Sequence, residues 1–164
     1  MFILKGKGLL SAILLGIGVY AVILGGYLLL KDVFDFSNIT EALTKNIGVN
    51  GKNFIFVSIY ISFVNSLLEE FFFRGFAFIT LSKLTGRKIA YIFSAGVFAL
   101  YHVAMMIGWF DLPLFIIVMA GLFAGGAIFN FLNEKSGTIY PSWFLHMFAN
   151  FAINTVGFVL FGII

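Results

Sequence analysis

Four runs of more than twenty residues carry no charged side chain: residues 9–30, 89–110, 112–133 and 136–164. A fifth run, from residue 54 to about residue 81, is apolar except for Glu69, Glu70 and Arg74 in its middle. A helix crosses a hydrocarbon core about 30 Å thick with about 20 apolar residues, so each run is long enough to span one. Composition points the same way, with 62% hydrophobic and 10% charged residues. Soluble domains carry about 25% charged residues, and here there is too little polar surface to cover a water-facing globule. The sequence predicts an all-α fold, a polytopic membrane helix bundle of about five transmembrane helices.

The first run follows Lys5 and Lys7 but exceeds the about 7–15 residues of a signal-peptide apolar region, and it reads as an anchoring helix. Residues 31–53, with Lys31, Asp32, Asp35, Glu41, Lys45 and Lys52, form the one long polar connection and suit a small interfacial helix. The chain thus divides into residues 1–53, anchor and polar loop, and residues 54–164, a four-helix core. With the N-terminus inside, Lys5, Lys7, Lys83, Arg87, Lys88 and Lys135 gather on the cytoplasmic side, against Lys31, Lys45 and Lys52 outside. The positive-inside rule favours that orientation and a multi-pass protein of the cell membrane. Trp109 and Trp143 lie near span ends as interfacial aromatics do, and Pro113 and Pro141 stand where helices begin. Gly121 and Gly125, with Ala120 and Ala124, offer a small-residue face, assigned to packing inside the bundle with self-association as the alternative. The net charge of +3 and its loop distribution give no basic stripe for nucleic acid. The absence of Cys removes disulfides, thiolate metal ligands and a cysteine nucleophile.

Each charge at a helix centre costs about 2.5–3.5 kcal/mol on insertion scales before it finds a partner, so Glu69, Glu70 and Arg74 need a reason. Residues four apart on a helix share a face, which pairs Glu70 with Arg74 and leaves Glu69, about 100° round, without a partner on its own helix. Glu69 is then the carboxylate available as a base, with a structural ion cluster between helices as the alternative. The chain's two histidines, His102 and His146, both fall inside spans. Two intramembrane histidines beside an unpaired glutamate are the inventory of a hydrolytic site. Asn150 follows His146 by four, so the two side chains project from one face and can jointly donate to an oxyanion; an interhelical hydrogen bond serves Asn150 equally well. Ser62, Asn65, Ser66, Ser94, Asn130 and Asn154 are assigned to packing.

Glu69-Glu70-Phe-Phe-Phe-Arg74, Phe98-Ala-Leu-Tyr-His102 and His146-Met-Phe-Ala-Asn150 are similar, in order and each within a span, to the EExxxR, FxxxH and HxxxN motifs of the CPBP family, the Abi or CAAX prenyl protease 2-like intramembrane proteases. The resemblance covers about residues 54–155. It implies that Glu69 and His102 activate a water, that His146 and Asn150 stabilise the oxyanion, and that Glu70 and Arg74 support them. It further implies an intramembrane endopeptidase whose substrate is a membrane-associated peptide or protein, extending to prenylated C-termini. The alternative is a catalytically inactive membrane scaffold or an immunity or maturation partner. Oligomeric state is left open. No cofactor is favoured; zinc is the variant, and Glu69, His102 and His146 are then its ligands. The chain lacks HExxH, and ligation by Glu69 would leave only Glu70 as base. No motif positions a serine or threonine as nucleophile, which points away from a covalent intermediate.

At 1.5 Å per residue, Glu69 and His146 both lie about 22 Å from the outer face, whereas His102 lies about 15 Å from it. Tilt or offset must absorb the remaining 7 Å or so, and water must reach the charges from the cytoplasmic side.

Overall fold

In the computed structural model the described residues are 6–164, with side chains from Leu10 onward. Lys5 and the side chain of Lys7, invoked above for orientation, lie outside the described residues. Six helical elements follow in chain order: α1 Gly6–Leu30, α2 Ser37–Ile47, α3 Phe54–Thr85, α4 Arg87–Met106, α5 Leu112–Ser136 and α6 Tyr140–Leu160. Five of them, all but α2, are long and apolar enough to cross a membrane. The protein is an all-α polytopic bundle.

Helix boundaries follow local chemistry. Asp111 caps α5 by accepting the Leu114 N–H at 3.3 Å, and Pro113 and Pro141 sit in the first turns of α5 and α6, where a missing N–H costs nothing. The apolar run 89–110 was expected to stay helical through residue 110, but α4 stops at Met106. Ile107 is extended, and Gly108 takes φ +79°, a left-handed conformation that glycine adopts without Cβ strain. The polar connection does contain a helix, α2, steadied by the Glu41–Lys45 pair at 2.5 Å.

The interior is lined by one large side chain from each core helix: Phe73 of α3, Phe98 of α4, Phe129 of α5 and Leu145 of α6. Around this aromatic centre the bundle buries polar groups and turns apolar ones outward, as a lipid-facing protein does. The α3–α6 seam is closed by Asn154 Nδ2 donating to Ser58 O at 3.2 Å and Ser62 Oγ at 3.0 Å, and by Trp143 Nε1 donating to Ser66 Oγ at 3.0 Å. Trp143, near the start of α6, thus also takes part in the seam. Ser94 and Asn130 join α4 to α5 at 3.0 Å, as the packing assignment anticipated. Helix α1 lies along α6, linked by Tyr20 Oη and Thr155 Oγ1 at 3.0 Å.

The small-residue face is used differently from expectation. Gly121 and Gly125 have no neighbour near their missing Cβ positions, whereas at Gly126 a Cβ would lie 3.1 Å from Ala95 Cα and 3.3 Å from Arg74 Nη2. The close approach in α5 is one residue further along, on the face that meets α4 and the buried arginine.

Candidate active site

Helix α3 is not a uniform α-helix. Tyr60–Asn65 and Glu70–Phe78 are π-helical, separated by the single α-turn Ser66–Glu69. Such i→i+5 segments are rare and concentrate at functional sites. Here the second contains Glu70 and Arg74 and the first precedes Glu69. A π-turn holds more residues, so the chain advances less along the axis and turns less per residue than in an α-helix. Glu69 consequently sits nearer the Phe54 end of α3 than α-helical counting predicts, the direction needed to meet His102.

Five of the six expected site residues, Glu69, Glu70, Arg74, His102 and His146, are linked by direct contacts, and Asn150 stands one helical turn after His146. Glu70 and Arg74 are both fully buried and 3.2 Å apart, as the i,i+4 reading required. The Arg74 guanidinium also lies over the Phe98 ring at 4.0 Å and the Phe129 ring at 4.9 Å. A desolvated cation–π contact contributes about 2 kcal/mol or more, so aromatic faces supply what water would have supplied.

His146 stands between the two glutamates. Its Nδ1 is 2.9 Å from Glu70 Oε1 and its Nε2 is 3.6 Å from Glu69 Oε2. His102 approaches the same Glu69 oxygen with Nε2 at 3.9 Å, while its Nδ1 is 2.8 Å from the Phe98 carbonyl. A carboxylate and a carbonyl can only accept, so Nδ1 carries the proton in both rings. In the neutral rings Nε2 then presents a lone pair to Glu69 Oε2. That oxygen is buried and has no hydrogen-bond partner among the described residues. Three acceptor atoms thus face one another, with no donor between them among the described residues.

Glu69 is not without a partner on its own helix, as the charge pattern suggested. Asn65 Nδ2 donates to Glu69 Oε1 at 2.6 Å. The expectation failed because it searched for a cation at helical spacing, whereas the partner is a neutral amide four residues back.

Asn150 lies on α6 one turn from His146, with Nδ2 donating to Ile61 O at 3.2 Å, a carbonyl of the first π segment. An amide nitrogen carries two hydrogens, so one of them remains for another acceptor. The nearby hydroxyls are engaged. Ser66 donates to Ser62 O at 2.5 Å and accepts from Trp143, and Ser142 donates to Ile139 O at 2.9 Å. Exposure rises toward α4: the side chain of His102 is 20% exposed against 7% for Glu69, and Tyr101 beside it is exposed.

The donor types of Glu69, His102 and His146 are those of a His₂Glu zinc site. Among the described residues, however, no three such side chains are arranged to hold a metal ion.

Sequence reasoning missed Asn65, the Phe98–Phe129 cradle of Arg74, and Gly126, whose missing Cβ gives the guanidinium room. The spacing of Asn65 four residues before Glu69 was the available signal for the first of these.

Compared with known proteins, the chain matches a family model described as "Rce1-like: Type II CAAX prenyl endopeptidase Rce1-like" over residues 51–152. No individual curated protein and no solved structure matches it.

Proposed function

We propose, from the premise that the chain belongs to the type II CAAX prenyl endopeptidase Rce1-like family, that Glu69 is the base which activates water for peptide-bond hydrolysis inside the bilayer. Membership makes the protein a CAAX-type endopeptidase, and the five apolar helices make it an integral multi-pass membrane protein. One observation carries the finer reading: Glu69 Oε2, buried and unpartnered among the described residues, faces Nε2 of both histidines at 3.6 and 3.9 Å.

Water held at that point donates one hydrogen to Glu69 Oε2 and the other to His102 Nε2, which directs one of its two lone pairs toward the substrate carbonyl carbon. Glu69 takes the first proton as the C–O bond forms and returns it to the departing amide nitrogen as the C–N bond breaks. The oxyanion formed between these events is met by the second N–H of Asn150, while His146 flanks Glu69 Oε2 with Nε2 and reaches Glu70 through Nδ1. Glu70 fixes the ring plane of His146, and Arg74 balances the Glu70 charge. No covalent intermediate is needed, consistent with the engaged state of the nearby hydroxyls.

The substrate in this reading is a membrane-associated peptide that reaches the site past His102 and Tyr101, the more exposed side of the cluster. A prenylated C-terminal peptide fits the family description. The distribution of Lys83, Arg87, Lys88 and Lys135 against Lys31, Lys45 and Lys52 supports a cytoplasmic N-terminus in a cell membrane.

The test is incubation of the purified protein in micelles with a farnesylated CAAX-type peptide and its unprenylated twin, with product masses read directly. Release of a short C-terminal peptide by wild type and not by His102→Ala supports the reading. Equal inertness of both folded proteins on both peptides overturns it in favour of a non-catalytic membrane scaffold.

A further inference from the structure

We propose that Asn65 is a positioning residue for Glu69, holding one carboxylate oxygen so that the other is aimed at the histidines. The inference rests on the reading of Glu69 as the base and adds to it a residue that the three motifs do not contain.

Asn65 differs from the other asparagines of the bundle in what its amide does. Asn130 reaches from α5 to Tyr91 O on α4, and Asn150 and Asn154 reach from α6 to carbonyls on α3. Each of those bonds ties two helices together, which is the ordinary use of an intramembrane amide. The Asn65–Glu69 bond lies within a single helix and joins no two elements. Its contribution goes into the conformation of one carboxylate.

The backbone is arranged for that pairing. Asn65 ends one π segment and Glu70 begins the next, so only the α-turn Ser66–Glu69 lies between. Within an α-turn, side chains four apart stack one above the other, which brings Asn65 Nδ2 to 2.6 Å from Glu69 Oε1. The terminal torsion of a glutamate is broad and roughly two-fold, so a carboxylate without this bond samples many planes. With Oε1 held, the free oxygen is Oε2, the atom that both Nε2 lone pairs face. Asn65 is half-buried, one turn before Glu69 on the same helix.

The test measures kcat, KM and thermal midpoint, with the farnesylated peptide, for wild type, Asn65→Leu, Asn65→Asp, Asn65→Gln, Asn154→Leu and Glu69→Gln. Asn65→Leu keeps the number of side-chain heavy atoms and loses the donor. Asn65→Asp keeps the shape and replaces the donor with an acceptor. The expected result is a kcat loss of about 10–100-fold in both, as for misaligned catalytic groups, with KM within about two-fold of wild type. Asn65→Gln, which keeps an amide able to reach one turn, recovers much of that loss. Asn154→Leu behaves oppositely, with a lowered midpoint and kcat near wild type.

A lowered midpoint with unchanged kcat in the Asn65 variants makes the residue structural and overturns the proposal. So does a Gln variant no better than Leu. Wild-type turnover by Asn65→Leu while Glu69→Gln is inactive overturns the positioning role alone. Activity retained by Glu69→Gln removes the base assignment on which the role depends.

Discussion

His146 is held by Glu70. Nδ1 of the ring lies 2.9 Å from Glu70 Oε1, the same oxygen that lies 3.2 Å from Arg74 Nη1. One buried carboxylate therefore both orients a site histidine and balances a guanidinium that rests on aromatic faces. Removing it leaves Arg74 charged and unpaired in an apolar interior.

Glu70→Gln is accordingly expected to cost about 3–5 kcal/mol of stability, the usual penalty for breaking a buried pair from one side. Converting the arginine as well, in Glu70→Gln/Arg74→Met, returns much of that loss, because no lone charge then remains. Denaturant unfolding in a fixed detergent measures both. A single variant as stable as wild type contradicts the buried pair.

Gly126 and Gly121 give a second contrast, within one helix. A methyl group at Gly126 meets Ala95 and the Arg74 guanidinium, whereas at Gly121 it meets nothing within contact distance. Gly126→Ala is expected to lose about 1–3 kcal/mol through overpacking, and Gly121→Ala to stay within about 0.5 kcal/mol of wild type. Thermal midpoints of the two variants, measured side by side, test the assignment; equal effects contradict it.

The spans were legible because absence of charge over twenty residues has one physical solution, a helix in lipid, and the charged triplet in α3 marked the site by being costly there. Both histidines were found the same way. The π segments were not legible: a change from i→i+4 to i→i+5 bonding leaves no residue-type signature, so depths counted at α-helical rise misplaced His102 relative to Glu69. A pattern of Gly and Ala identifies a helix with small residues but not which of them meets a neighbour, and Gly126 rather than Gly121 or Gly125 is the answer that tertiary contacts supply. The place of Trp143 near a span end gave no sign of its partner, Ser66, which its indole N–H meets across the seam.

Hydrolysis is expected to proceed without a metal. Treatment with a strong chelator should leave the rate unchanged, and elemental analysis should find well under one zinc per chain. Chelator-sensitive turnover that zinc restores would instead make Glu69, His102 and His146 ligands and remove Glu69 as the base.

The most direct measurement is the single-turnover rate of Glu69→Gln on a prenylated CAAX-type peptide, beside wild type with a matching unfolding midpoint. The account predicts a loss of at least about 100-fold, the lower bound for removing a general base, with substrate affinity retained. A rate within a few-fold of wild type would contradict it.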